Sequence, residues 1–201
     1  LQMLGVSNLP ASAHKKVKLQ DRTLSRNASR ALSSVVSAVE ARRPKAADGE
    51  EVRWYEGDAL TQFYVRRAAL AALQFNPDDA GRVYLVALGI FMDRTGTLQK
   101  LPVTAPLVKE VEAEHMRKRR LEILGTPTIH DRNDLALHFF LSAYLTATFG
   151  PDAAYNLGIA KELSDSNGGS GFSFADLAAD RAGIEFAKQV AAGDVSLDTL
   201  S

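Results

Sequence analysis

The pattern of apolar residues predicts an all-α protein, a compact bundle of six or seven helices with a loose N-terminal arm. Three observations carry that expectation. Apolar side chains recur at three- and four-residue spacing through most of the chain, the period that gathers them on one face of a helix. Turn-forming residues fall between these stretches, at Pro44, Pro77, Gly96, Gly125, Pro127 and Pro151. With 201 residues, 46% hydrophobic and 24% charged, the chain is long and apolar enough to bury one core.

Residues 1–20 show no apolar period and include the basic cluster His14-Lys15-Lys16-Val17-Lys18, so they read as a mobile arm. Residues 21–201 read as a single helical domain whose core motif spans 130–183. A helix is expected from Asp21, with Leu24, Ala28, Leu32, Val35, Val36 and Val39 on one face and Arg22, Arg26 and Arg30 mostly on the other. Arg42-Arg43-Pro44 stops it. The segment from Trp54 to Gln74 is helical by pattern, with an apolar stripe of Leu60, Phe63, Tyr64, Arg67, Leu70, Ala71 and Leu73. Asn76 is placed to cap the next helix and Pro77 to occupy its first position. That helix, ending near Met92, is rich in β-branched residues and has a strand as its alternative; helical neighbours and the lack of a partner strand favour the helix. Leu98 to Pro106 is expected to be irregular. A charged helix is expected from Leu107 to Leu124, where Glu110, Glu112 and Glu114 precede the basic run Met116-Arg117-Lys118-Arg119-Arg120 and pair with it within the helix. A phosphate or lipid-headgroup contact is the lesser reading of that run. Gly125-Thr126-Pro127-Thr128 then breaks the helix.

Composition narrows the function classes. Lys+Arg and Asp+Glu balance at 24 each, so no global field draws the chain to nucleic acid, and none is expected as a partner. Without cysteine there are no disulfides, no thiolate nucleophiles and no Cys-type zinc sites, and either cytoplasm or periplasm suits the chain. The longest uncharged run, Leu135 to Pro151, is at the lower limit of a membrane span and contains Gly150 and His138; a buried core helix explains it better. The chain opens on Leu1 without a charged n-region and apolar h-region, so a processed product is expected.

The chemistry-bearing residues gather between His130 and Gly183. His138 lies in an otherwise apolar helix, and Asp134 stands one turn earlier on the same face, where a carboxylate would orient the imidazole as general base or ligand. Glu162 and Asp165 share a face near a helix C-terminus, against the dipole, and call for a cationic partner. The stretch from Asp165 to Asp176 has the length of a calcium loop. It offers Asp165, Asn167 and Asp176 as metal ligands, but Gly169 and Ser170 stand where an oxygen ligand and the usual glycine belong. Against this, Ser173-Phe174-Ala175-Asp176 is a capping pattern that simply starts the last helix. Asp176, Asp180 and Gly183 then recur on one narrow polar face, where the glycine would let another helix approach. A pocket of Asp134, His138, Glu162, Asp165, Asp176 and Asp180 is therefore expected, with His138, Asp134 and Glu162 as its catalytic candidates. No cofactor is required, a divalent ion such as Ca²⁺ being the one candidate.

The order Gly158-Ile159-Ala160-Lys161-Glu162-Leu163-Ser164-Asp165, then Gly171-Phe172-Ser173-Phe174-Ala175-Asp176-Leu177-Ala178-Ala179-Asp180 and Gly183, after the His138 helix, resembles a family pattern. It is similar to small bacterial envelope proteins of the VanZ-like type and to related short periplasmic lipoproteins. The histidine helix departs from that pattern, having Leu135-Ala136 where the family has a lysine, and the chain lacks the family's membrane-spanning segments. The resemblance implies export to the periplasm or cell envelope and an envelope protein as partner; it carries no reaction to these positions. Two readings of function stand. One is an envelope structural or interaction domain fastened by a buried polar cluster. The other is a hydrolase or metal-binding protein using the His/Asp/Glu pocket.

Overall fold

The first helix, α1 (Ala11–Arg42), buries Leu24, Ala28, Leu32, Val35, Val36 and Val39 and leaves Arg22, Arg26 and Arg30 exposed. Its apolar stripe is the one the sequence spacing marks. The computed structural model describes residues 11–42, 54–166 and 173–201, with side chains over 22–42, 54–159 and 173–201. Helix begins at Ala11, ahead of the expected Asp21; residues 1–10 lie outside the described residues.

Helix α2 (Gly57–Ala72) presents Leu60, Phe63, Tyr64 and Ala71 to the core, but Leu70 and Leu73 face solvent at 44% and 38% exposure. Ala68, Ala69 and Ala72 take their place, so α2 packs through small side chains that bring it close to its neighbours. Helix α3 (Pro77–Met92) starts as its sequence dictates: the Asn76 side chain accepts from the Asp78 amide at 3.1 Å, and Pro77 occupies the first turn. Every residue from Val83 to Met92 is buried, which explains a composition that resembles a strand. A helix that is apolar all round belongs at the centre of a bundle.

The stretch expected to be irregular contains the short helix α4 (Thr97–Lys100), and the expected single charged helix is two: α5 (Ala105–Val111) and α6 (Glu114–Ile123). The break has a physical cause. Extended backbone at Glu112 and Ala113 turns the Glu112 carboxylate back onto Arg120, with Nε–Oε1 2.6 Å and Nη2–Oε2 3.0 Å. The Arg120 side chain also donates to the carbonyls of Phe91 (2.9 Å) and Asp93 (3.1 Å) and is 1% exposed. The pairing is thus across a break and inside the core, not along one helix surface. Arg119 reaches a different element, donating through Nε to Glu40 of α1 at 3.0 Å. The basic run is therefore partly structural, pinning α6 to α1 and to the end of α3.

Helix α7 (Asn133–Phe149) carries the uncharged run; α8 (Pro151–Ser166) turns back after Gly150, and α9 (Phe174–Ala192) lies along α7. The last element is α10 (Leu197–Leu200), which touches α2. The fold is all-α, with ten helices and no strand among the described residues, eight of the helices having seven residues or more. Helices α3 and α7 form its centre. Gly89 of α3 lies where a Cβ would come within 2.5 Å of the Tyr144 Cβ, so these two helices meet backbone to side chain. None of the helices among the described residues is long and apolar enough to cross a membrane.

Candidate functional site

Two pairs of residues spaced by four build the polar cluster. His138 and Ser142 occupy one face of α7, and Asp176 and Asp180 one face of α9. The Ser173 hydroxyl accepts from the Asp176 amide at 3.2 Å, so the S-x-x-D pattern does cap α9, and the cap fixes where both carboxylates point. Gly183 sets the spacing: a Cβ there would overlap the Phe139 carbonyl. At that separation the imidazole lies between two carboxylates. Its Nε2 is 3.3 Å from Asp176 Oδ2 and its Nδ1 3.1 Å from Asp180 Oδ1. Ser142 Oγ donates to the same Asp180 oxygen at 2.8 Å. His138 and Asp180 are each 6% exposed.

Each ring nitrogen faces a carboxylate oxygen, the arrangement an imidazolium satisfies by donating from both. Ser142 donates to the Asp180 carboxylate, which it shares with the imidazole as a second donor to the same oxygen. Two buried oxygens, Asp176 Oδ1 and Asp180 Oδ2, accept no hydrogen bond among the described residues. Arg132 Nη2 lies 3.6 Å from the first, in range for charge attraction only. The second sits over α8, where a Cβ on Gly158 would come within 3.0 Å of it. Glycine at 158 therefore makes room for the Asp180 carboxylate between three helices.

Asp134 does not join the cluster. Its carboxylate pairs with Arg132, which donates through Nε at 3.2 Å, and this hydrogen bond, then the Leu135 amide and the ionic attraction to Arg132, hold its carboxyl below the usual 3.8. The local Asp134–His138 pair expected from spacing is replaced by pairs between helices, because α9 offers the imidazole a carboxylate on each side. Of the other candidates, Glu162 and Asp165 lie on α8 with side chains outside the described residues, and Asn167 lies outside them altogether. The calcium-loop expectation falls there, apart from Asp176. Among the described residues no group of three or more His, Asp or Glu side chains is arranged to hold a metal ion. The two nitrogens of one imidazole point opposite ways, so Asp176 and Asp180 do not converge with it on one point.

Spacing alone did not single out Ser142. The signal for it lies in the matched spacing, since Ser142 follows His138 by four residues, as Asp180 follows Asp176. A second polar centre was also missed. Asp58, at the start of α2, accepts from the amides of His130 (3.0 Å) and Asp131 (3.1 Å) and from the Thr128 hydroxyl. It holds His130 and Asp131 in left-handed backbone, φ 52° and 58°, just before α7. The Asp58 contacts fix the direction in which α7 leaves the turn, and so the place of His138.

No protein family, no curated protein and no solved structure matches this chain.

Proposed function

We propose that this chain is a helical structural or interaction domain of the bacterial envelope, in which the His138–Asp176–Asp180–Ser142 cluster fastens α9 to α7. The observation that carries the reading is the engagement of both imidazole nitrogens by carboxylates. A general base needs one nitrogen turned toward a substrate, and here each is turned toward α9. Buried polar networks of this kind rigidify a bundle and select one packing among several that apolar residues alone would permit. The placement in the envelope, with an envelope protein as partner, rests on the resemblance of the 158–183 segment; fractionation of the native host tests it, and recovery in the cytoplasm would overturn it. The fastening role is tested by replacing His138 with leucine and following the thermal midpoint. A large fall is expected; an unchanged midpoint would remove the role.

The alternative is a hydrolase or metal-binding protein, and the two buried carboxylate oxygens that accept no hydrogen bond among the described residues favour it. Bound metal would stabilise the native state by mass action. Melts with Ca²⁺, with Mn²⁺ and with EDTA separate the readings: a midpoint raised by metal and lowered again in an Asp176→Asn variant supports the metal site.

A further inference from the structure

The head of α7 borders a pocket of about 180 Å³ that the polar cluster does not use. Met92, Pro127, Ala136 and Leu137 supply apolar surface to it, and Arg94 and Asp134 supply charge. The two charges are not equivalent. Asp134 is neutralised by Arg132, whose Nε lies 3.2 Å away. Arg94 uses Nη1 to hold Thr126 Oγ1 (3.0 Å) and the Gly125 carbonyl (3.3 Å), and meets no carboxylate among the described residues. Those two bonds fix the guanidinium in place while its other N–H groups remain for a ligand. The net sign presented to the pocket is positive.

Size limits the occupant. A cavity of about 150 Å³ admits one benzene ring, so this pocket takes a single ring or a branched chain of similar bulk. We propose that the pocket binds a ring-sized organic monocarboxylate, its apolar body against Met92, Pro127, Ala136 and Leu137 and its carboxylate on the Arg94 guanidinium. An anchored arginine is suited to this, because a planar fork matches a carboxylate and little side-chain freedom is left to lose on binding. A cationic ligand would have to displace Arg132 from Asp134, and a neutral ring would leave the remaining Arg94 N–H groups to water.

The test is an amide NMR titration of the whole chain with benzoate as probe, with benzamide supplying the ring without charge and acetate the charge without a ring. Benzoate is expected to shift the amides of Thr95, Thr126, Asn133 and Leu137 saturably, with a dissociation constant on the order of 1 mM for so small a ligand. Benzamide and acetate are each expected to bind about tenfold more weakly or worse, the loss of one charge-assisted contact or of the ring. Arg94→Gln should abolish the preference for benzoate over benzamide, and Leu137→Trp, which fills the pocket, should abolish the binding of both. Where a variant fails to fold, the comparison of the three probes on the unaltered chain still decides. No saturable shift, shifts scattered away from the pocket, or equal binding of benzoate and benzamide would overturn the proposal.

Discussion

His138 shows how a single side chain is committed by its neighbours. Removing it leaves the buried Asp180 and the partly buried Asp176 without their shared partner, which costs about 3 kcal/mol where such pairs have been broken. For a chain of this length that is a fall of roughly 6–12 °C in the melting midpoint. The expected outcome for His138→Leu is a drop in that range, and for the companion Asp180→Asn a smaller one, because an amide still accepts from Ser142. Tyr84 makes the opposite case. Its hydroxyl is buried without a hydrogen bond among the described residues, and burial pushes its pKa up. Tyr84→Phe removes an unsatisfied group while keeping the ring, so urea denaturation is expected to show a gain of about 1 kcal/mol. Asp58 adds a pH signature. The Thr128 hydroxyl, then the Asp131 and His130 amides, hold its carboxyl below the usual 3.8. Its stabilising contribution is complete above that value and is lost as pH falls through the lower value of the folded state. The stability difference between the wild type and Asp58→Ala is therefore expected to be constant above about pH 5 and to shrink in acid; a difference that grows in acid would contradict this.

At the scale of elements, the joints matter more than the helices. Each long helix has the apolar period expected of it, yet what fixes its place is a small residue or a buried charge at a crossing. Gly183→Ala should gain helix propensity of up to about 1 kcal/mol and lose more to the clash with Phe139, for a net loss of about 1–2 kcal/mol in chemical denaturation. The joint between α5 and α6 depends on Arg120 and Glu112. Arg120→Met alone strands a buried carboxylate and should cost about 3–5 kcal/mol, whereas Arg120→Met with Glu112→Leu should recover most of that loss. A double-mutant cycle measures it. The charge alternation around 107–124 suggested one helix because i,i+4 pairing is the usual use of such a run. Nothing local announces that Glu112 will pair with a residue eight positions on, since that requires a break whose benefit lies in the core.

For the whole molecule, α3 and α7 are covered on most sides by α1, α2, α8 and α9. Their amides are expected to exchange most slowly with solvent and at the global rate, while those of α4, α5 and α10, which are short and peripheral, exchange through local opening. Native-state hydrogen exchange checks this. Most of the architecture was legible beforehand, including the all-α class, the buried stripe of α1, the caps at Asn76 and Ser173, and the close approach at Gly183. These are readable because capping and helical periodicity act over at most a few residues, so their causes lie in consecutive sequence.

The sequence by itself therefore determined the class of fold, most of the helix faces and the residue types that carry polarity between 130 and 183. Tertiary structure alone decided the partners: His138 with Asp176 and Asp180 and not Asp134, Arg120 with Glu112 across a broken helix, Asp58 with the turn before α7. The reason is physical. Periodicity says which face of a helix a residue occupies, but a buried charge takes whichever opposite group arrives there dry and close, and only the packing of distant helices sets which one that is.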